Sequence, residues 1–285
     1  MRQLFRVAVE QHELLWELTQ KELKARYKRS RLGLLWAIIN PLSMLVVYFF
    51  VFQVVFQVAN RQSSSSYAAM LIAGLFPWHF FSHSLSSSPW SVLNHAELIK
   101  KVYFPRHLLV LASIASELLL FCITIVLVIF GLWLMGVTPT GYLLLIPPLI
   151  VLELGLVAGA CFAASALAVR FRDIQYLINA VLMPWFYFTP VLYSLPMLRS
   201  KGLPGWVTHL IWLNPLAGLI VSWQQVLCPS PEWLALPTAK ALLAFAVGES
   251  TGGPALLSAV AWTAVFLIGG LTIFDRREPL MADFV

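Results

Sequence analysis

Six stretches of this chain run for about 20 residues or more with almost no charge, the length an α-helix needs to cross the hydrocarbon core of a bilayer. They cover residues 34–58, 68–88, 108–135, 142–169, 175–195 and 255–274. The run 108–135 carries no charged residue but Glu117, and 142–169 none but Glu153. A soluble domain has about 25% charged residues. Here 11% of 285 residues are charged, 60% are hydrophobic and the mean hydropathy is +0.81. That leaves too little polar surface to cover a globule in water, so a soluble domain and a disordered chain are both excluded. The expected fold is all-α and integral to a membrane.

Charge placement sets the orientation. With six spans and an inside amino terminus, fifteen of the nineteen Lys and Arg residues fall in the inside segments 1–33, 89–107, 170–174 and 275–285. Arg61, Arg199, Lys201 and Lys240 fall outside. This matches the excess of basic residues on cytoplasmic loops. It also accounts for the net charge of +6 without nucleic acid. A seventh apolar run, 206–227, contains Asn214-Pro215, Gln224 and Gln225. Counting it as a span would put Arg276 and Arg277 outside, so it is expected to form a re-entrant or surface-lying hairpin. Broken helix survives at membrane depth only inside protein or beside a wet cavity. Together with Pro184 and Pro190, this makes 184–227 the candidate outer gate. Residues 1–12 lack the apolar h-region of a signal peptide, so the internal spans are expected to direct insertion.

Residues 1–33 read differently. At 100° per residue, Arg2, Arg6, Glu10, Glu13, Glu17, Lys21 and Lys24 share one arc, and Leu4, Val7, Leu14, Leu15 and Leu18 another, with Glu22 among the leucines. This predicts an amphipathic helix lying in the cytoplasmic interface, either simply against headgroups or also docked to a cytoplasmic partner. The domain plan is therefore an interface helix (1–33), a permease domain (34–274) and a cytoplasmic tail (275–285).

No Gly-Lys pair occurs, so the chain holds no phosphate-cradling loop of its own. Cys122, Cys161 and Cys228 show neither metal spacing nor a disulfide framework. Intramembrane carboxylates such as Glu117 and Glu153 are costly. They either line a polar cavity, where Ser113 and Ser116 would bond Glu117, or relay protons. His79 and His83, four apart, lack an evident third ligand, so polar lining is preferred to a metal site. Gly155, Gly159 and Ala163 make a small-residue row for close helix packing. Trp78, Phe80, Phe81, Trp185, Phe186, Tyr187, Phe188 and Tyr193 cluster beside prolines. Such rings form interfacial belts or stack on sugar faces. The loop 89–107 mixes Glu97, Lys100, Lys101, Tyr103, Phe104 and Arg106, the residue types that anchor interfaces, and is expected to touch a partner.

In order along the chain, K-x-R-Y-K-R-S-x-L-G-x-L-W-A (24–37), Asn40-Pro41, G-L-F-P-W-x-F-F (74–81), Lys101–Pro105, R-F-R-D-I (170–174), W-F-Y-F-T-P-V-L-Y (185–193), Asn214-Pro215 and R-R-E-P-x-x-A-D (276–283) resemble the polysaccharide-exporting ABC permeases. The O-antigen permeases (Wzm-like) look nearest, with teichoic-acid and capsule permeases close behind. The outer segment 228–253 departs from the pattern in its length and Pro/Gly content.

The resemblance implies a homodimer bound to two copies of an ABC ATPase, which supplies the ATP and Mg site, this chain binding no cofactor. It implies export of an undecaprenyl-type lipid-linked glycan across the bacterial inner membrane, with both termini cytoplasmic. ATPase coupling is carried over to Glu97, Lys100, Lys101, Tyr103, Phe104, Arg106, Arg170, Arg172 and Asp173. The aromatic substrate path is carried over to Tyr48, Trp78, Phe81, Trp185, Tyr187 and Phe188. The rival expectations are a proton-coupled secondary transporter and an ABC exporter of a drug or small lipid.

Overall fold

The computed structural model describes residues 10–26, 30–51, 61–94, 105–138, 140–171, 173–193, 205–229 and 255–278. Among them the regular structure is helical: α1 (His12–Arg26), α2 (Trp36–Phe49), α3 (Arg61–Leu93), α4 (His107–Leu134), α5 (Ile146–Ala168), α6 (Ile174–Phe188), α7 (Gly205–Trp212), α8 (Ala217–Leu227) and α9 (Ala255–Arg277). Short 3-10 turns precede α2 and α5. Helices α4, α5 with its leading turn, and α9 are long and apolar enough to cross a membrane, and α2, α6 and α8 are shorter apolar helices.

Local chemistry explains where the helices start and stop. Pro147 and Pro148 open α5, where their missing N–H groups cost nothing. Helix α4 ends in a left-handed Gly136 (φ +88°). The Gly136 N–H bonds Trp133 O and the Val137 N–H bonds Leu132 O, both at 3.0 Å, which closes the last turn. Helix α3 runs unbroken through Pro77 and Pro89. Pro89 cannot donate to Leu85 O, and the Ser88 hydroxyl takes that carbonyl at 3.0 Å. The polar residues of the expected 68–88 span therefore do not interrupt it, and the helix extends past both ends.

Helix α6 differs from expectation. Pro184 sits inside it, and the stop comes at Thr189, which turns extended (ψ 138°) before Pro190. Among its described residues the expected span 175–195 is thus helical only to Phe188. The apolar run 206–227 is two helices, α7 and α8, separated at 213–216. Residues 52–60 and 194–204, and most of 228–253, lie outside the described residues.

The tightest joint is between α5 and α9. A Cβ on Gly159 would run into the backbone of Phe266, and one on Gly270 into Gly159 itself. The small-residue row thus packs within the chain. Thr263 adds a hydroxyl bond to Leu152 O at 3.1 Å. Helix α8 is buried on nearly every side chain against α3, α5 and α9, with Gly218 admitting the Ala255 carbonyl.

Helix α1 packs along α4, burying Thr19. This is closer than a helix lying only on headgroups would come.

Candidate functional site

Four helices and the end of α1 surround an open cavity of about 640 Å³. Its wall comprises Arg26 of α1, Trp36, Asn40 and Met44 of α2, and Phe76, His79, Phe80, His83, Ser86 and Trp90 of α3. Glu117, Phe121 and Thr124 of α4 and Asn179 of α6 also line it. On α3 the lining positions run from Phe76 to Trp90, and on α4 from Glu117 to Thr124. The cavity therefore reaches about 25 Å from the end of α3 at a rise of about 1.5 Å per residue, just past the middle of both helices.

The polar groups of the wall are ordered. Arg26 pairs with Glu117 across 91 residues of sequence. A carboxylate inside a span needs such a partner, and this one comes from the basic last turn of α1 rather than from another span. Ser113 and Ser116, expected to bond Glu117, bond elsewhere. Ser116 donates to Ser113 O at 2.8 Å, and the Ser113 hydroxyl lies 3.5 Å from that of Ser87. The Ser86 hydroxyl donates to Asn179 Oδ1 at 2.7 Å, leaving the Asn179 amide NH2 without a bond among the described residues. The His79 and His83 rings lie 5.7 Å apart. Among the described residues no third His, Cys or carboxylate joins them to make a metal cluster.

The six residues expected to form an aromatic path do not gather on this cavity. Trp78 and Phe81 are 5% and 0% exposed. Each meets Trp185 edge-on, at 6.3 and 5.4 Å. Tyr48 is half-buried beside the core. Tyr187 and Phe188 stand 60% and 72% exposed on α6. The rings on the cavity are Trp36, Phe76, Phe80, Trp90 and Phe121, with Phe80 stacked on Phe121 at 4.6 Å. Helical spacing from His79 and His83 would have found Phe76, Phe80 and Trp90. No local pattern joins them to Phe121.

A second arrangement holds the broken region. Asn214 Nδ2 donates to Thr189 Oγ1 at 2.9 Å and to Phe188 O at 3.2 Å. Its Oδ1 accepts Trp185 Nε1 and the Leu216 N–H, both at 3.0 Å. One side chain thus ties the end of α6 to the break between α7 and α8. Gln224 Nε2 donates to Pro190 O at 2.9 Å, and the Trp223 indole donates to Glu153 Oε2 at 2.8 Å. Glu153 therefore anchors α8 to α5.

Of the coupling set, Glu97, Lys100, Lys101, Tyr103, Phe104 and Arg172 lie outside the described residues. Arg170 and Asp173 are exposed at the α5–α6 turn, the Arg170 guanidinium 5.5 Å from the Phe171 ring. Arg106 bonds the Glu278 carbonyl. Beside it, His107 Nε2 lies 2.9 Å from Asp275 Oδ1 and Nδ1 lies 3.6 Å from Glu278 Oε1. These three side chains have the atoms to hold a metal. The imidazole, however, spends opposite nitrogens on the two carboxylates, so it joins α4 to the end of α9 as a clamp. Arg106, Arg170, Asp173, Arg276 and Arg277 consequently share one end of the bundle.

Comparison with known proteins gives a consistent family. The model of the ABC-2 type transporter family matches residues 13–227. An O-antigen export system permease protein RfbA of Klebsiella pneumoniae is 36% identical over 215 residues, 75% of this chain and 80% of that protein. The RfbA of Myxococcus xanthus is 31% identical over 285 residues, the whole of both chains. The polysialic acid transport protein KpsM of Escherichia coli is 22% identical over 268 residues, 92% of each.

Proposed function

This chain belongs to the ABC-2 type transporter family, and we propose that it is the membrane subunit of a polysaccharide exporter, carrying a lipid-linked, O-antigen-like glycan through a homodimeric channel. Family membership makes it a multi-pass bacterial membrane permease that works with an ABC ATPase and is not itself catalytic. The observation that carries the substrate class is full-length similarity to an O-antigen export permease. The open cavity beside α1 and the ring-rich end of α6 are compatible with it.

In this reading the chain has six spans and both termini in the cytoplasm of an inner membrane. The end bearing Arg106, Arg170 and Asp173 faces two copies of a separate ATPase, which binds ATP and Mg. A ligand moves a conformation only through differential binding to two states. ATP closure of the partner therefore acts on 94–107, Arg170–Asp173 and α1. The response is a shift of α6 against the α7–α8 break, which opens the outer gate. Tyr187 and Phe188, exposed on α6, stack on sugar rings, with Trp185, Trp78 and Phe81 packed behind them and Tyr48 on α2.

The test is purification from native membranes followed by ATPase assay of the complex. A stoichiometric partner with a phosphate-binding loop is expected, and Tyr103→Ala or Phe104→Ala should lower transport-coupled ATPase severalfold with insertion intact. A chain that purifies alone and transports on a proton gradient blocked by Glu117→Gln would overturn the reading.

A further inference from the structure

We infer that the apolar groove between α5, α6 and α9 seats an acyl chain of an anionic phospholipid, whose phosphate rests on Arg276 and Arg277. The groove shares no lining residue with the cavity beside α1, and the inference does not depend on the glycan.

The groove is an open space of about 380 Å³. Small residues of α5, among them Ala160 and Ala163, form its floor, with Ile178 and Trp185 of α6 and Phe266 and Ile273 of α9 as walls. No lining side chain is charged. Trp185, the only one with a polar atom, gives its indole N–H to Asn214. A Cβ on Gly269 would meet nothing within 4 Å, so the chain leaves this space unfilled. Water finds no hydrogen-bond partner there, whereas a hydrocarbon chain gains dispersion contacts along the walls. The length also fits. Lining residues span 159–167 on α5, 265–273 on α9 and 174–185 on α6, about 12–17 Å at about 1.5 Å per residue. One leaflet's share of the hydrocarbon core is about 15 Å.

Charge selects the headgroup. Phe266, Gly269, Gly270 and Ile273 follow helical spacing along the groove, and the next positions at that spacing are Arg276 and Arg277. Both lie within about one turn of the groove's end, Arg276 exposed and Arg277 half-buried. Among the described residues no ion pair uses either of them. The acids beside them, Asp275 and Glu278, are drawn to His107 at 2.9 and 3.6 Å. A guanidinium gives paired N–H groups to phosphate oxygens, and basic residues at a membrane surface favour anionic lipid. The face of α6 open to a second copy is the opposite one. At 100° per residue Ile174, Ile178 and Trp185 lie about half a turn from Tyr176, Met183 and Tyr187, which are 60–71% exposed. Helix α6 packs on α3 and α5 and meets α9 across the groove, so the seated chain joins the two.

The experiment uses the full chain with its ATPase, delipidated in detergent, and counts bound phospholipid by native mass spectrometry. Phosphatidylglycerol and phosphatidylcholine with identical acyl chains are titrated. The expected result is one tightly held phosphatidylglycerol per chain, bound roughly fivefold or more above phosphatidylcholine. Arg276→Gln/Arg277→Gln should bring the two lipids to nearly equal affinity. Gly269→Leu, which fills the groove, should weaken both lipids severalfold with subunit composition unchanged. Gly269→Cys, alkylated after purification in a chain with Cys122, Cys161 and Cys228 replaced by Ala, fills the groove of an already folded protein and should give the same loss. Inorganic phosphate should not displace the lipid. Equal binding of the two lipids by the unaltered chain, a preference that survives the arginine variant, displacement by inorganic phosphate, or full binding after alkylation at position 269 each overturns the proposal. Separation of the subunits on alkylation gives the groove to a second copy and overturns it too.

Discussion

At the residue scale the Arg26–Glu117 pair governs the cavity. Glu117 is 5% exposed on a helix long enough to cross the membrane. Stripping one partner from a buried pair costs about 3–5 kcal/mol, because the other charge is left stranded. With the Arg26 side chain 35% exposed, solvent screens part of this, and about 1–3 kcal/mol is expected. Arg26→Gln should therefore lower the thermal midpoint in detergent, and Arg26→Gln/Glu117→Gln should recover most of the loss. A double variant no more stable than the single one would show that Glu117 is held by something else. Asn214 is a second such residue. Its side chain makes four hydrogen bonds, each worth about 1 kcal/mol net. Asn214→Ala should lower stability by about 2–4 kcal/mol and raise passive leak of a small dye through proteoliposomes. Unchanged permeability would separate this joint from any gate.

At the element scale the α5–α9 joint depends on backbone contact at Gly159 and Gly270. Gly159→Leu should abolish the folded peak on size exclusion, whereas Gly141→Ala, which meets nothing within 4 Å, should not. How far these elements were legible follows from what each depends on. The cores of α4, α5 and α9 depend on long apolar runs, which are local, and the expected spans 108–135, 142–169 and 255–274 match within four residues at each end. The end of α6 depends on the extended residue before Pro190, while Pro184 is absorbed because helices in lipid tolerate a lost bond when neighbours re-satisfy the carbonyl. The break at Asn214-Pro215 was visible, but its partners Trp185 and Thr189 were not, since they lie 29 and 25 residues away. The arc arithmetic for residues 1–24 scores only that helix's own faces, so it could not place α1 on α4. The cavity wall draws on five helices whose residues share no periodicity, and of its polar groups only His79, His83 and Glu117 announced themselves.

At the scale of the whole molecule, α2 and α6 leave large apolar side chains outward. Val46, Val47 and Phe50 stand exposed on and just beyond α2, and Tyr176, Val181, Met183, Tyr187 and Phe188 on α6. In a homodimer this face meets its copy or the glycan. With Cys122, Cys161 and Cys228 replaced by Ala, Tyr187→Cys should cross-link to a dimer with a short bismaleimide in membranes. Failure to cross-link at several α6 positions would turn that face to lipid. The 91-residue separation of Arg26 and Glu117 also bears on synthesis. A ribosome adds about 5–20 residues per second, so Arg26 emerges several seconds before the helix that carries its counter-ion. During that interval the guanidinium waits for this carboxylate, and Glu117 enters the insertion machinery as the later arrival. The amino-terminal helix therefore docks on α4 only after α4 has been laid down, and a chain stalled before residue 117 lacks the Arg26–Glu117 pair that ties its beginning to that helix.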